Sequence, residues 1–155
     1  MPIFSALPTA VVDAYRTGGL DAFGNLPEHA VSDGHGNPCR HCLCNIPKGA
    51  GMLILAHKPF VGAHPYAEVG PIFLCATACP LGGGANLPPI LATSPDYLVK
   101  GYCAQDRIVY GTGAIVRAQY LSTRSTAILT YPDVAYLHIR SARNNCYLVR
   151  VDPDD

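Results

Sequence analysis

The chain has 155 residues, 49% of them hydrophobic and only 14% charged, with a formal net charge of zero. That length and apolar content exclude intrinsic disorder and support a folded domain with a real core, and the neutral balance removes the electrostatic footprint expected of a nucleic-acid-binding protein. No window reaches the ~18 apolar residues of a membrane span and no secretory leader pattern opens the chain, so a cytoplasmic protein with no membrane partner is expected, and one so sparing of charge is a candidate for homodimerisation.

In chain order, Leu7 to Arg16 predicts a short amphipathic helix, with Thr9 as N-cap, Val11, Val12 and Tyr15 on one face, and Gly18-Gly19 as its stop. From Gly24 to Pro38 the sequence is rich in Gly, Asn, Asp, Pro and His and reads as loop. Arg40 to Ile46 and Met52 to His57 then read as a hairpin closed by the Gly/Pro turn between them. Lys58 to Val69 is punctuated by Pro59, Gly62 and Pro65, and an irregular stretch of about a dozen residues inside a domain suggests a binding role. Its polar members are His57, His64, Tyr66 and Glu68.

Gly70 to Cys75 predicts a strand, and Cys79 to Pro95 a second irregular connection whose Gly82-Gly83-Gly84 reads as a flexible turn, since no Gly-Lys-Ser/Thr follows. Tyr97 to Cys103 and Arg107 to Val116 form a further predicted hairpin, and Tyr120 to Thr130 a helix with Leu121 and Ile128 on one face. The last two strands alternate most cleanly, Val134 to Arg140 and Cys146 to Val151. In the first, Val134, Tyr136, His138 and Arg140 share the more polar face. The whole predicts one α+β domain: a mainly antiparallel sheet of about five to seven strands, partly covered by two or three short helices.

Three constellations carry chemistry. Seven cysteines in a reducing compartment are not a disulfide framework, and an odd number cannot all pair. Cys39-x-x-Cys42 and Cys75-x-x-x-Cys79, with His41 between the first pair, offer thiolate and imidazole ligands for which zinc is the first metal to consider. On a regular strand Cys39 and Cys42 would point to opposite faces, so the pair converges only if a turn or bulge starts there. The alternative is that Cys42, Cys44, Cys75 and Cys103 serve as small core hydrophobes.

The second constellation sets His138 against Cys146, base and nucleophile of a thiol-dependent transferase or hydrolase, across a closing hairpin centred near residue 143. That register pairs Arg140 with Cys146 and His138 with Leu148. The third is a pocket for a small polar or anionic ligand drawn from Arg40, Tyr66, Tyr102, Arg107, Arg140 and Asn144, where guanidinium forks bind carboxylate or phosphate and tyrosines line the walls. The carboxylates are scattered and no Gly-x-Ser-x-Gly is present, which leaves paired-carboxylate and serine hydrolysis without support.

Pro38-Cys-Arg-His-Cys-Leu43, Pro65 to Phe73, Arg107 to Gly113 and above all Val134 to Cys146 resemble successive blocks of a bacterial family catalogued as domain of unknown function 1203. The resemblance runs from about residue 35 to 151. It implies a core of residues 35–151 within a single 1–155 domain, preceded by an N-terminal helix and loop over 1–34. It carries no substrate, cofactor or catalytic role.

Overall fold

A computed structural model describes residues 1–154. In chain order the elements are β1 (Pro2–Ser5), α1 (Thr9–Arg16), β2 (Glu28–Val31), β3 (Gly51–His57), β4 (Gly70–Cys75), β5 (Gly83–Gly84), β6 (Asp96–Tyr102), β7 (Ala114–Arg117), α2 (Leu121–Leu129), β8 (Tyr136–Ser141) and β9 (Tyr147–Pro153). Single 3-10 turns occupy Pro89–Leu91 and Ala118–Tyr120. One sheet has six strands in the order β5-β1-β9-β8-β6-β7, the other three in the order β2-β3-β4, and every strand pair is antiparallel. Among the described residues no helix is long and apolar enough to cross a membrane.

Alternation builds the larger sheet. Leu137 and Ile139 of β8 stand opposite Val151 and Val149 of β9, and together with Phe4 and Val99 they form a face on which α2 packs Leu121 and Ile128. These side chains are at most 2% exposed, and each fully buried Leu, Ile or Val contributes about 1.5–3 kcal/mol relative to exposure. The smaller sheet makes a second core. Leu53 and Leu55 of β3 face Leu74 and Ile72 of β4, and over them lie Leu7, Val12 of α1, Cys39, Ile46 and Tyr147.

Several sequence expectations change. α1 forms as expected, but Pro8 occupies the N-cap position and the Thr9 hydroxyl is used elsewhere. The helix does end at its glycines: Gly18 takes φ +97° and Gly19 N–H donates to Ala14 O at 2.7 Å. β2 lies inside the stretch expected to be loop, held by β3 rather than by its own alternation. No Arg40–Ile46 strand forms, so β3 pairs with β2 and β4 instead. The expected turn at Ala104–Asp106 forms, with Asp106 at φ +61°, Cys103 N–H on Arg107 O at 2.9 Å and Tyr102 bridged to Ile108, but pairing is interrupted over 110–113 and β7 starts at Ala114.

The β8–β9 register also differs. A bulge between Ile139 and Arg140 sets Arg140 opposite Tyr147 and His138 opposite Arg150. Nor is the triple glycine a flexible turn. A Cβ on Gly82 would lie 2.1 Å from Cys42 O and one on Gly83 2.3 Å from Phe4 O, so glycine is what lets this strand pass between two backbones.

Candidate metal centre

The stretch Pro38 to Cys44 is a knuckle. Cys39 N–H donates to Cys44 O at 3.0 Å and Leu43 N–H to Cys39 O at 2.9 Å, with Leu43 in the left-handed region at φ +58°. This turn is the condition under which Cys39 and Cys42 can converge, and it brings both thiols to one side. A bridge between Cys39 and Phe73, with Arg40 N–H on Phe73 O at 3.2 Å, lays the knuckle along β4. β4 ends at Cys75, and the following turn carries Cys79 back over it.

The four sulfurs of Cys39, Cys42, Cys75 and Cys79 all lie within 4.8 Å of one another. Cys39 and Cys79 are 3.9 Å apart, Cys42 and Cys75 4.0 Å. A tetrahedron of thiolates at the usual zinc–sulfur bond length has edges of about 3.8 Å. The cluster could therefore hold a metal ion.

Groups around the sulfurs are arranged to support negative charge. Cys75 N–H donates to Cys39 Sγ at 3.3 Å, and Arg16 Nη2 donates to Cys79 Sγ at 3.1 Å while its Nε holds Cys75 O at 3.0 Å. His41 has Nδ1 3.1 Å from Cys79 Sγ and Nε2 2.8 Å from Thr9 Oγ1. With its proton on Nδ1, His41 donates to Cys79 and accepts the Thr9 hydroxyl. It stands outside the four-sulfur cage as an orienting neighbour, not as a fifth ligand.

The thiols also polarise one another. Hydrogen bonding from Cys42, then from backbone N–H groups, holds the Cys39 thiol down to about 4. Hydrogen bonding to Cys39 and burial push Cys42 up, and burial together with the charge at Cys39 pushes Cys75 up to about 12. One thiolate forms readily and the next are opposed by it, a repulsion that a bound cation reverses.

Arg16 and Thr9 were not singled out for this site. They lie seven residues apart on an eight-residue helix, hence on one face, and that spacing was the available signal.

The remaining predicted residues do not form one site. His138 is 1% exposed, with the rings of Phe60, Tyr102, Tyr136 and Tyr147 at 4.8–5.2 Å between centroids. Burial, then the charges of Arg140, Arg150 and Lys100, hold its pKa well below the ordinary range. Its face of the sheet is thus covered rather than solvated. Cys146 is half-buried, with Sγ 3.7 Å from Asn144 O, and it opens onto a different cavity from His138. The expected nucleophile–base pair is not assembled, because the bulge and the alternation of β8 send the two side chains apart.

The predicted ligand residues fall into three places. Arg107 stacks on Tyr66 at 5.3 Å, and Tyr66 Oη meets Tyr110 Oη at 2.8 Å near the surface. Arg140 reaches Glu68 at 3.1 Å and Asn145 Oδ1 at 2.9 Å, and Tyr102 lies in the aromatic cover of His138. Arg40 and Asn144, joined by Cys146 and Ser141, line a cavity of about 430 Å³.

A family described as "Protein of unknown function (DUF1203)" matches residues 36–152, about three-quarters of the chain. No curated protein and no solved structure matches. The chain belongs to that family.

Proposed function

From the premise that the chain is a member of that uncharacterised family, we propose that it is a zinc-stabilised module in which Cys39, Cys42, Cys75 and Cys79 are the four ligands. The observation that carries this reading is the mutual approach of four sulfurs to within 4.8 Å, at near-tetrahedral spacing for two of the pairs. Four thiolates leave no open position for water or substrate, so the role is structural: the ion clamps the knuckle to the end of β4 beneath α1. Arg16 and His41, directed at Cys79, offset the negative charge that four thiolates impose on one divalent ion. Free thiols in this number fit the reducing conditions of a cytoplasm.

Elemental analysis of untagged protein is expected to give close to one equivalent of zinc. The Cys39→Ser variant should lose it, and Cys44→Ser, which removes an exposed thiol outside the cluster, should retain it. Less than half an equivalent of zinc in the unmodified protein rejects the proposal.

A second reading, recognition of a small polar or anionic molecule, is favoured by the cavity that Arg40 shares with Ser141, Asn144 and Cys146. The two readings are compatible, since Cys39 and Arg40 are successive residues facing different neighbours.

A further inference from the structure

We infer that the cavity over Arg40 is a binding site for a small oxyanion-bearing molecule, a carboxylate or a phosphate, held by the Arg40 guanidinium with a rim of hydroxyl and amide donors. This rests on the small-ligand reading and is independent of the metal.

Arg40 is only 3% exposed, yet among the described residues no carboxylate pairs with it. The other buried arginine, Arg140, has Glu68 at 3.1 Å. A buried guanidinium with no carboxylate beside it is costly, and proteins ordinarily supply a partner or leave the place of one to a ligand. Two nitrogens of Arg40 are fixed by carbonyls, Nε on Tyr147 O at 2.8 Å and Nη1 on Pro38 O at 2.7 Å, and Phe73 lies under the guanidinium at 5.8 Å. The fork is thus set in one orientation before any ligand arrives. Arginine keeps its charge at neutral pH.

The rest of the cavity has the matching character. It is lined by no Asp or Glu, and Thr93, Ser94, Ser141 and Asn144 bring polar groups to its wall. Ser141 Oγ accepts the Cys146 N–H at 3.0 Å, which leaves the hydroxyl proton free to donate. At about 430 Å³ the space suits a metabolite-sized molecule. The cavity on the other side of the sheet differs: Lys58 and Arg150 are balanced there by Asp106 and Asp152, so it has no preference for an anion.

Cys146 provides a reporter in the wall. Iodoacetate and iodoacetamide are similar in size and alkylate the same thiolate, but only iodoacetate is anionic, so their rate ratio at one thiol reads the local field independently of that thiol's ionisation. On the full chain with its metal content measured, the iodoacetate-to-iodoacetamide ratio at Cys146, followed by peptide mass spectrometry, should exceed that of the uncharged thiol N-acetylcysteinamide by about tenfold. Millimolar inorganic phosphate should slow Cys146 alkylation several-fold. Asn144→Asp, an exposed rim substitution that leaves Arg40 in place, should bring the ratio down severalfold. A ratio equal to that of N-acetylcysteinamide with no protection by phosphate would make Arg40 a structural clamp and overturn the inference. Metal content in the same samples shows separately whether the zinc reading stands.

Discussion

The cysteine knuckle and the covered face around His138 both concentrate chemically able side chains, and they differ in how the backbone delivers them. Cys39 and Cys42 come from one turn, and Cys75 and Cys79 from the last residue of β4 and the irregular segment that follows it, so their side chains can point at one place, and Arg16, His41 and a backbone N–H are directed at the sulfurs. His138 stands in a strand, where alternation places it in a layer with Tyr136 and Arg140, and four aromatic rings surround it at the edge of a cavity. Turns converge and strands array. A reactive residue on a strand becomes part of a site only when something outside the sheet comes to meet it. What meets His138 is Phe60, which brings no polar partner, and its Nδ1 has none.

The sharpest way to break this comparison is to remove the metal. Chelation, or Cys39→Ser, is expected to destabilise the protein by at least about 4 kcal/mol, lowering the melting temperature by more than about 10 °C. Circular dichroism melts of His138→Phe under the same chelation should show the same loss, since that residue belongs to the other region.

Acid should act on the thiolates of the knuckle, by protonating them, and separately on the histidine side. Burial, then the charge on Arg40, lowers His57 to about 4, and His138 is held well below the ordinary value. Both are neutral in the fold and bind protons on unfolding, so their contribution is complete above about pH 6.5 and is lost as the pH falls from there toward 4. For His57 the loss by pH 4 is on the order of 3 kcal/mol. The stability of His57→Gln, measured by denaturant titration at several pH values, should fall less steeply over that window by nearly one proton.

Gly82→Ala tests the knuckle without touching a sulfur. Its Cβ would meet Cys42 O at 2.1 Å, and Gly82 N–H already donates to His41 O at 2.9 Å. A cost of about 2–3 kcal/mol is expected, together with weaker zinc retention against a competing chelator. An unchanged zinc affinity would separate this strand from the site. The smallest effect belongs to Glu68→Gln, which removes the partner of Arg140 at 3.1 Å and of Lys100 at 3.5 Å. Because Glu68 is 40% exposed, about 1–2 kcal/mol is expected in chemical denaturation, with metal content unaltered.

Much of the fold was legible from periodicity. β4, β8, β9, α1 and α2 fall close to where their patterns place them, and Leu121 and Ile128 are buried together as their spacing implies. β2 was not legible, because His29 and Val31 are exposed and Glu28–Val31 owes its strand conformation to pairing with β3. The four cysteines were legible as a set but not as a cluster. Convergence depended on the Leu43 left-handed turn, and leucine does not advertise a positive φ. The scatter of Arg107, Arg140 and Arg40 over three places was invisible, since Arg140 leaves β8 while Arg40 and Arg107 leave irregular segments whose course the sequence pattern does not fix.

β1 lies between β5 and β9 in the larger sheet, with Phe4 opposite Val151 and Ser5 opposite Arg150, and α1 sends Arg16 and Thr9 to the cysteines. The family match begins at residue 36, beyond both elements. A polypeptide started there would leave β9 with a bare, unpaired edge running beside a hydrophobic face, the geometry on which chains stack into aggregates. The unit that folds therefore begins well upstream of the unit that the family shares.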